Sequence, residues 1–332
     1  MIDEISKKLH STKELNKYFS LLKQGKNASL AVVSSARPLV VASDFVSNKR
    51  STLVIVPGDT NAKVFANELR KYLDTDDIIE FPSNVIYDKC DALDISITYF
   101  ALAALSAAKV KVVVASASAV LRKFPDCSVD HFKPVKFIEG KEFKYNTLIE
   151  NLKNFGYTRL EVLDGPGTFT LKGDTLDIFP AQLNYPVRVD FFGDEVEEIR
   201  RIVQSTGQTI SPLKSVEIYS AKKIDEFEKT ITLQKIINKK TIVYTDEPRG
   251  VLDDMRNFYD SLGTTYKISR AAKKTYFENP LNIDFSKNQN VSLVSIMQRG
   301  VNPDAKLTLK RPKKCKNEED LNKMISELRC DG

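Results

Sequence analysis

The sequence predicts an α/β fold: a parallel-sheet body interrupted by a small antiparallel α+β domain. Three observations carry this. In the first third, Val- and Ile-rich runs alternate with helix-length segments. From residue 168 onward, short strands of alternating polarity are separated by Gly-Asp pairs. After residue 230, an apolar strand followed by a helix returns. Continuous apolar strands between helices imply a parallel sheet covered on both faces, whereas clean alternation implies a sheet packed on one side.

The elements follow in order. Ser29–Val33 is a strand, Ser34 to Pro38 a small-residue turn, and the apolar stretch after it a helix. Thr52–Val56 is a strand ending at Pro57-Gly58-Asp59. Thr60–Leu73 is a helix with Asp59 or Thr60 as its cap and Val64, Phe65, Leu69 and Leu73 on one face. Ile78–Phe81 is a strand, Asp94–Ala108 an Ala/Leu-rich helix, and Val110–Ala115 a further strand. The texture changes around Lys123–Asp126. Asn146–Phe155 is a helix capped by Asn146 and stopped by Gly156, with Leu148, Ile149, Leu152 and Phe155 on one face. Strands follow at Thr168–Lys172, Thr175–Phe179, Val187–Phe192 and Val196–Val203, with Gly173-Asp174 and Gly193-Asp194 as hairpin turns. Ile231–Ile237 is helical, Lys240–Thr245 a strand and Asp253–Leu262 a helix. The division is therefore 1–123 for the first part of the body, 124–221 for the small domain, and 222–332 for the return to the body with a basic tail.

Composition closes off several classes. The 50 Lys+Arg against 44 Asp+Glu leave +6, a mild bias that neither requires nor excludes a nucleic-acid partner. The opening MIDEISKKLHS is not a secretory signal, and no run of about 18 apolar residues would span a membrane. Cys90, Cys127, Cys315 and Cys330 are scattered without CxxC spacing, and His10 and His131 are the only histidines. Neither a zinc site nor a disulfide framework is expected, which suits a reducing cytoplasm. The tail bears Lys306, Lys310, Arg311, Lys313, Lys314 and Lys316 before a charged helix at Asn317–Leu328. It reads as a solvated segment, with phosphate contact as the alternative.

The turn at 34–39 has the strand–turn–helix layout of a phosphate loop without its chemistry. Such a loop needs glycines to let backbone N–H groups converge, a Lys for the β/γ charge and a hydroxyl for Mg²⁺. Ending the motif on Arg37-Pro38-Leu39 puts Pro in place of Lys and Leu in place of the hydroxyl. Ser34, Ser35 and Arg37 remain, and Arg37 replaces one charge but not the amides. The strand Thr241–Tyr244 runs into Asp246-Glu247, like the acidic pair that closes a Mg²⁺ site. Beside an emptied loop it reads as a relic. The body is thus P-loop-like but degenerate, and neither a catalytic residue nor a metal site is expected.

In the small domain, alternation puts Val187, Val189, Phe191, Phe169, Leu171, Leu176 and Ile178 in the core. An outward face is left with Lys172, Arg188, Phe179 and Phe192. Arg and aromatics are enriched in interfaces, so this is either a binding face, a satisfied surface or a contact with the neighbouring domain.

The segment GTFTLKGDTLDIFPAQLNYPVRVDFFGDEVEEIRRIVQSTGQTI (Gly167–Ile210) resembles the second domain shared by the excision-repair subunit UvrB and the transcription-repair coupling factor Mfd. VVVASASAVL (Val112–Leu121) is similar to a strand–loop of the family's first domain, and TIVYTDEP to its acidic strand. The degenerate loop, and a Pro82–Leu93 connection too short for the long DNA-clamping hairpin of UvrB, favour the amino-terminal UvrB-like module of the coupling factor. The resemblance implies recruitment of the damage sensor UvrA through two basic residues and a Phe, which fall on Lys172, Arg188 and Phe192. Lys172 stands where the family prefers Arg, so the planar fork is lost there. It implies no cofactor for this segment, with ATP and Mg²⁺ expected only in motor domains outside it. RNA polymerase and DNA are expected partners of those other parts, and the carboxy-terminal motor an intramolecular partner that masks the face. A UvrB-type ATP-dependent enzyme and a basic DNA-binding scaffold are the alternatives.

Overall fold

A computed structural model describes residues 2–83, 92–125, 133–222, 230–295 and 302–308. The first part of the chain supplies β1 (Ala28–Val32), β2 (Thr52–Val56), β3 (Ile78–Glu80), β4 (Val112–Ser116) and β5 (Lys123–Pro125). The middle supplies β6 (Val135–Ile138), β7 (Thr158–Arg159), β8 (Thr168–Lys172), β9 (Thr175–Phe179), β10 (Val187–Phe192), β11 (Glu195–Ile202), β12 (Thr209–Leu213) and β13 (Ser215–Ile218). The return supplies β14 (Thr230–Thr232), β15 (Ile242–Asp246), β16 (Gln289–Val294) and β17 (Ala305–Leu307).

Seven strands form one parallel sheet in the order β17-β1-β16-β15-β2-β4-β3. The two ends of the chain are interleaved in it: β1 lies between β17 and β16, and β2 between β15 and β4. Because side chains alternate, Val54 and Val56 enter a core on one face while Leu53 and Ile55 enter a second core on the other. Helices Arg37–Asn48 and Asp59–Leu69 cover the first face; Ala92–Ser106 and Pro248–Thr264 cover the second. This is the α/β body the sequence predicts, buried on both sides.

The small domain is a six-stranded sheet in the order β12-β11-β10-β9-β8-β7, antiparallel except for the β7–β8 pair. Its core holds Phe137, Leu148, Leu152, Phe169, Ile178, Val189 and Ile199. Gly173 and Gly193 sit at φ +57° and +61° in the two hairpin turns, the left-handed geometry that a Cβ disfavours. Lys109 donates to Glu217 at 2.6 Å and Ser96 to the carbonyl of Tyr219 at 3.3 Å, joining the small domain to the body.

Some expectations require correction. The helix after β2 starts at Asp59 with Gly58 as its cap residue; Asp59 caps nothing and accepts from Ser118 Oγ at 2.8 Å. Its buried face is Ala62, Phe65, Ala66 and Leu69, while Val64 is 54% exposed. Two alanines disguised a face set by the i, i+3, i+4, i+7 rule. Asn146 does not cap a helix: Tyr145–Thr147 make a 3₁₀ turn leading into helix Leu148–Asn154. Of the expected helix 231–237, Thr230–Thr232 instead pairs with β5, leaving a helix at Leu233–Ile236. The expected Pro82–Leu93 connection lies mostly outside the described residues, as do all four cysteines, His131, the basic tail beyond residue 308 and its helix. Among the described residues, no helix is long and apolar enough to cross a membrane. No cluster of three or more His, Cys, Asp or Glu there could hold a metal.

Candidate functional site

Two arginine-centred arrangements stand out. The first is at the carboxyl end of the large sheet. Ser34–Ala36 form a 3₁₀ turn, and helix Arg37–Asn48 starts with Pro38 in its first turn, where the missing N–H costs no hydrogen bond. Ser34 and Ser35 face solvent; Pro38 is buried and Leu39 half-buried. Arg37 turns inward and is only 3% exposed. Its Nη1 donates to Asp246 and its Nη2 to Glu247, the two residues at the end of β15. Nη2 also donates to Ser295 Oγ at 3.2 Å, and Ser295 donates to Glu247. Nε and Nη2 approach the carbonyl of Val32 at 3.4 Å.

The arginine thus occupies the space between the turn and the acidic pair and pairs with both carboxylates, its single charge set against two. Burial pushes the Asp246 carboxyl above its ordinary range, and Arg37 opposes that push. Glu247 adopts φ +49°, a left-handed backbone for a non-glycine residue, while its N–H donates to Leu293 at 2.8 Å. Behind this corner, Asp44 on the same helix is buried and accepts from Tyr18 at 2.7 Å and Tyr244 at 2.5 Å. Burial raises its carboxyl to about 6, against the two hydroxyl donors that lower it.

The second arrangement is the outer face of the small sheet. Arg188 on β10 stands opposite Asp177 on β9 and grips it with both prongs, Nε at 2.6 Å and Nη2 at 2.7 Å. Its side chain is 27% exposed. Asp190 accepts from Thr175 at 2.8 Å and from Arg200, which also reaches Glu198 at 3.5 Å. Lys172, at the end of β8, is exposed and has no ion-pair partner among the described residues. Phe192 is 78% exposed at the end of β10.

The hairpin bearing that ring is firmly held. The Phe143 N–H donates to the Asp194 carbonyl at 2.6 Å, Tyr145 N–H to Asp194 Oδ1 at 3.0 Å, and Tyr145 OH to the Gly173 carbonyl at 2.5 Å. A large apolar side chain is therefore presented to water on a fixed backbone, flanked by Lys172 and the Arg188–Asp177 pair. Lys172, Arg188 and Phe192 share this outer face. Phe179 does not: it is 6% exposed. Its cross-strand neighbour Thr168 is tied to the 160–167 loop, donating to the Gly165 carbonyl at 2.7 Å, so that end of the face is covered.

Asp177 and Asp190 alternate with core residues on β9 and β10, but alternation carries no register, so the sequence alone does not single out either as a partner for an arginine. Ser295 had no signal at all. A cleft of about 600 Å³ lies elsewhere, between the body and the small domain, lined in part by Arg70, Glu80, Lys111 and Tyr185.

Residues 135–224 match the family described as the UvrB interaction domain. The chain is 29% identical over 209 residues to UvrABC system protein B of Prochlorococcus marinus (strain MIT 9301), covering 58% of this chain and 31% of that protein. It is 30% identical over 215 residues to UvrABC system protein B of Methanococcoides burtonii, covering 58% and 32%. The same-named protein of Clostridium botulinum (strain Langeland) is 29% identical over 212 residues, covering 58% and 32%. The chain spans about a third of the length of these curated relatives. Over the matched part the chain is similar to these UvrB proteins, and Lys172, Arg188 and Phe192 fall among the residues that match the interaction-domain family.

Proposed function

We propose that this chain is a non-catalytic recruitment module of the transcription-repair coupling factor type, Mfd, whose small domain docks the damage sensor UvrA. The observation that carries the reading is Phe192, 78% exposed on a pinned hairpin within the matched interaction domain. Burying such an anchor at the centre of an interface supplies a hot spot of about 2 kcal/mol or more. Lys172 would meet acidic groups as a point charge. Arg188 would offer its remaining Nη1 to a partner while Asp177 holds its plane. Support for the non-catalytic part comes from Arg37, which stands between the emptied turn and the acidic pair, with Pro38 and Leu39 in the motif positions of Lys and the hydroxyl. No cofactor is then needed in this segment. RNA polymerase, a carboxy-terminal motor that masks the face, and the DNA which that motor moves along would act through other parts of such a factor.

The test is binding of purified UvrA to the chain and to Arg188→Ala and Phe192→Ala. Losses of about thirtyfold are expected for Phe192→Ala, the equivalent of about 2 kcal/mol. If both variants bind as tightly as the unaltered chain, the assignment fails. A second reading, an ATP-dependent UvrB-type enzyme, is in keeping with the name UvrABC system protein B that the relatives carry. It requires saturable ATP binding that is lost in Asp246→Ala.

A further inference from the structure

The amino-terminal edge of the large sheet, opposite the Arg37 corner, carries a block of positive charge in which Lys287 alone feels a nearby carboxylate, that of Asp284. Four adjacent strands in the order β1-β16-β15-β2 begin from loops 24–27, 286–289, 238–241 and 49–51. These loops present Lys26, Lys287, Lys239, Lys240, Lys49 and Arg50 and contain no acidic residue. None of the six has a carboxylate partner among the described residues. Arg50 is held instead by Gln289 Oε1 at 2.6 Å and the Lys240 carbonyl at 3.3 Å.

The flanking strands behave differently. Beyond β1, Asp304 is paired with Lys17 at 2.8 Å; beyond β2, Lys111 is paired with Asp77 at 3.1 Å and Lys109 with Glu217 at 2.6 Å. Asp284, two residues before the block, has its carboxylate turned onto Ser286 at 2.7 and 2.9 Å.

The platform beneath the charge is built rather than loose. Buried Asn288 donates to the carbonyls of Asn238 and Thr241 at 2.9 and 3.0 Å. Buried Gln289 donates to those of Leu22 and Lys26 at 3.1 and 2.8 Å. These amides, with the Arg50 bond to Gln289, stitch the four loops together and fix the backbone from which the cations project. Lys26, Arg50, Lys239 and Lys287 line an open basin of about 550 Å³ whose other walls are Gly25, Asn27, Ser286, Asn288 and Gln289.

We infer that this edge binds the phosphodiester backbone of duplex DNA. Three strand spacings make the row about 14 Å long, a distance over which duplex DNA presents about eight phosphates on its two strands. The polar walls offer no pocket for the apolar anchor of an acidic peptide. They hold no aromatic ring on which unpaired bases would stack, which disfavours a single strand. Contact would be sequence-independent and sensitive to salt.

The experiment is anisotropy titration of a labelled duplex of roughly 20 base pairs and arbitrary sequence, from about 50 to 200 mM salt. It uses the full chain and the quadruple variants Lys26→Gln/Lys239→Gln/Lys240→Gln/Lys287→Gln and the corresponding Glu set. The Gln set keeps the fold under test free of new repulsion, and its melting temperature should match that of the parent. Affinity at low salt should fall at least ~10-fold in the Gln set and further in the Glu set, and the log–log salt slope should become shallower by about three. Binding within twofold of the parent in the Gln set would overturn the proposal. So would equal competition by polyglutamate, or tighter binding of the single strand.

Discussion

The two arginine–carboxylate sites of this chain use the same chemistry to opposite ends. Arg37 is 3% exposed and spends its guanidinium on Asp246 and Glu247. Arg188 is 27% exposed and binds Asp177 on an open sheet. Burial makes the difference. In the closed corner each charge depends on the others, because removing one strands the rest in a poor solvent. On the open face, water already solvates part of the pair, so the pair is worth little to the fold and stays available to a partner. An ion pair seen in a structure therefore says nothing about role until its surroundings are counted.

The largest expected effect breaks the closed corner. Arg37→Met should cost about 3–5 kcal/mol in urea unfolding, since two carboxylates lose their cation. Adding Asp246→Asn and Glu247→Gln should recover much of that loss. A single variant as stable as the parent would mean that the corner is solvated after all. On the open face, Phe192→Ala should leave the melting temperature unchanged while weakening UvrA binding, because a ring that is 78% exposed contributes little to the fold. A lowered melting temperature would show that the ring is packed rather than presented.

A pH titration sharpens the contrast from behind the corner. The Asp44 carboxyl is raised from an ordinary 3.8 to about 6 by burial. Between those values the folded chain keeps a proton that the unfolded chain has lost. Stability from this group is therefore complete below pH 4 and is lost as pH rises through 6. Asp44→Asn should flatten that slope in thermal unfolding. The smallest effect is expected for Asp177→Asn, about 1 kcal/mol or less in stability. Its larger consequence should be a changed UvrA affinity, as the freed Arg188 fork becomes the partner's to take.

Much of the architecture was legible in the sequence because the signals were local. β2, β8, β9 and β10 have the bounds read from apolar runs and alternation: Pro57-Gly58 stop β2, and glycines at Gly173 and Gly193 fix the hairpin turns beside the other three. What local signals omit is what went unread. Strands β16 and β17 carry few β-branched residues, QNVSLV and AKL, and gain their strand character from their neighbours, β16 between β1 and β15 and β17 against β1. Register was equally hidden: Asp177 lies eleven residues from Arg188, and nothing short of pairing shows that they face each other. For the corner, both the emptied turn and the acidic pair were visible. That Arg37 would fold inward to join segments more than 200 residues apart was not.

The interleaving of strands has a consequence for how the chain emerges from a ribosome. Once β4 is made, β2 can pair with it, but its other side waits for β15, about 130 residues later. Meanwhile β1 has no neighbour until β16 is synthesised. The inserted domain, whose sheet is made wholly of nearby segments, can close first and mature while the TLVIV edge of β2 stays bare. Translation thus delivers a finished inserted domain on an unfinished body. The open edge of β2 is covered only when residues 242–246 have appeared, and β1 gains its first partner only with residues 289–294.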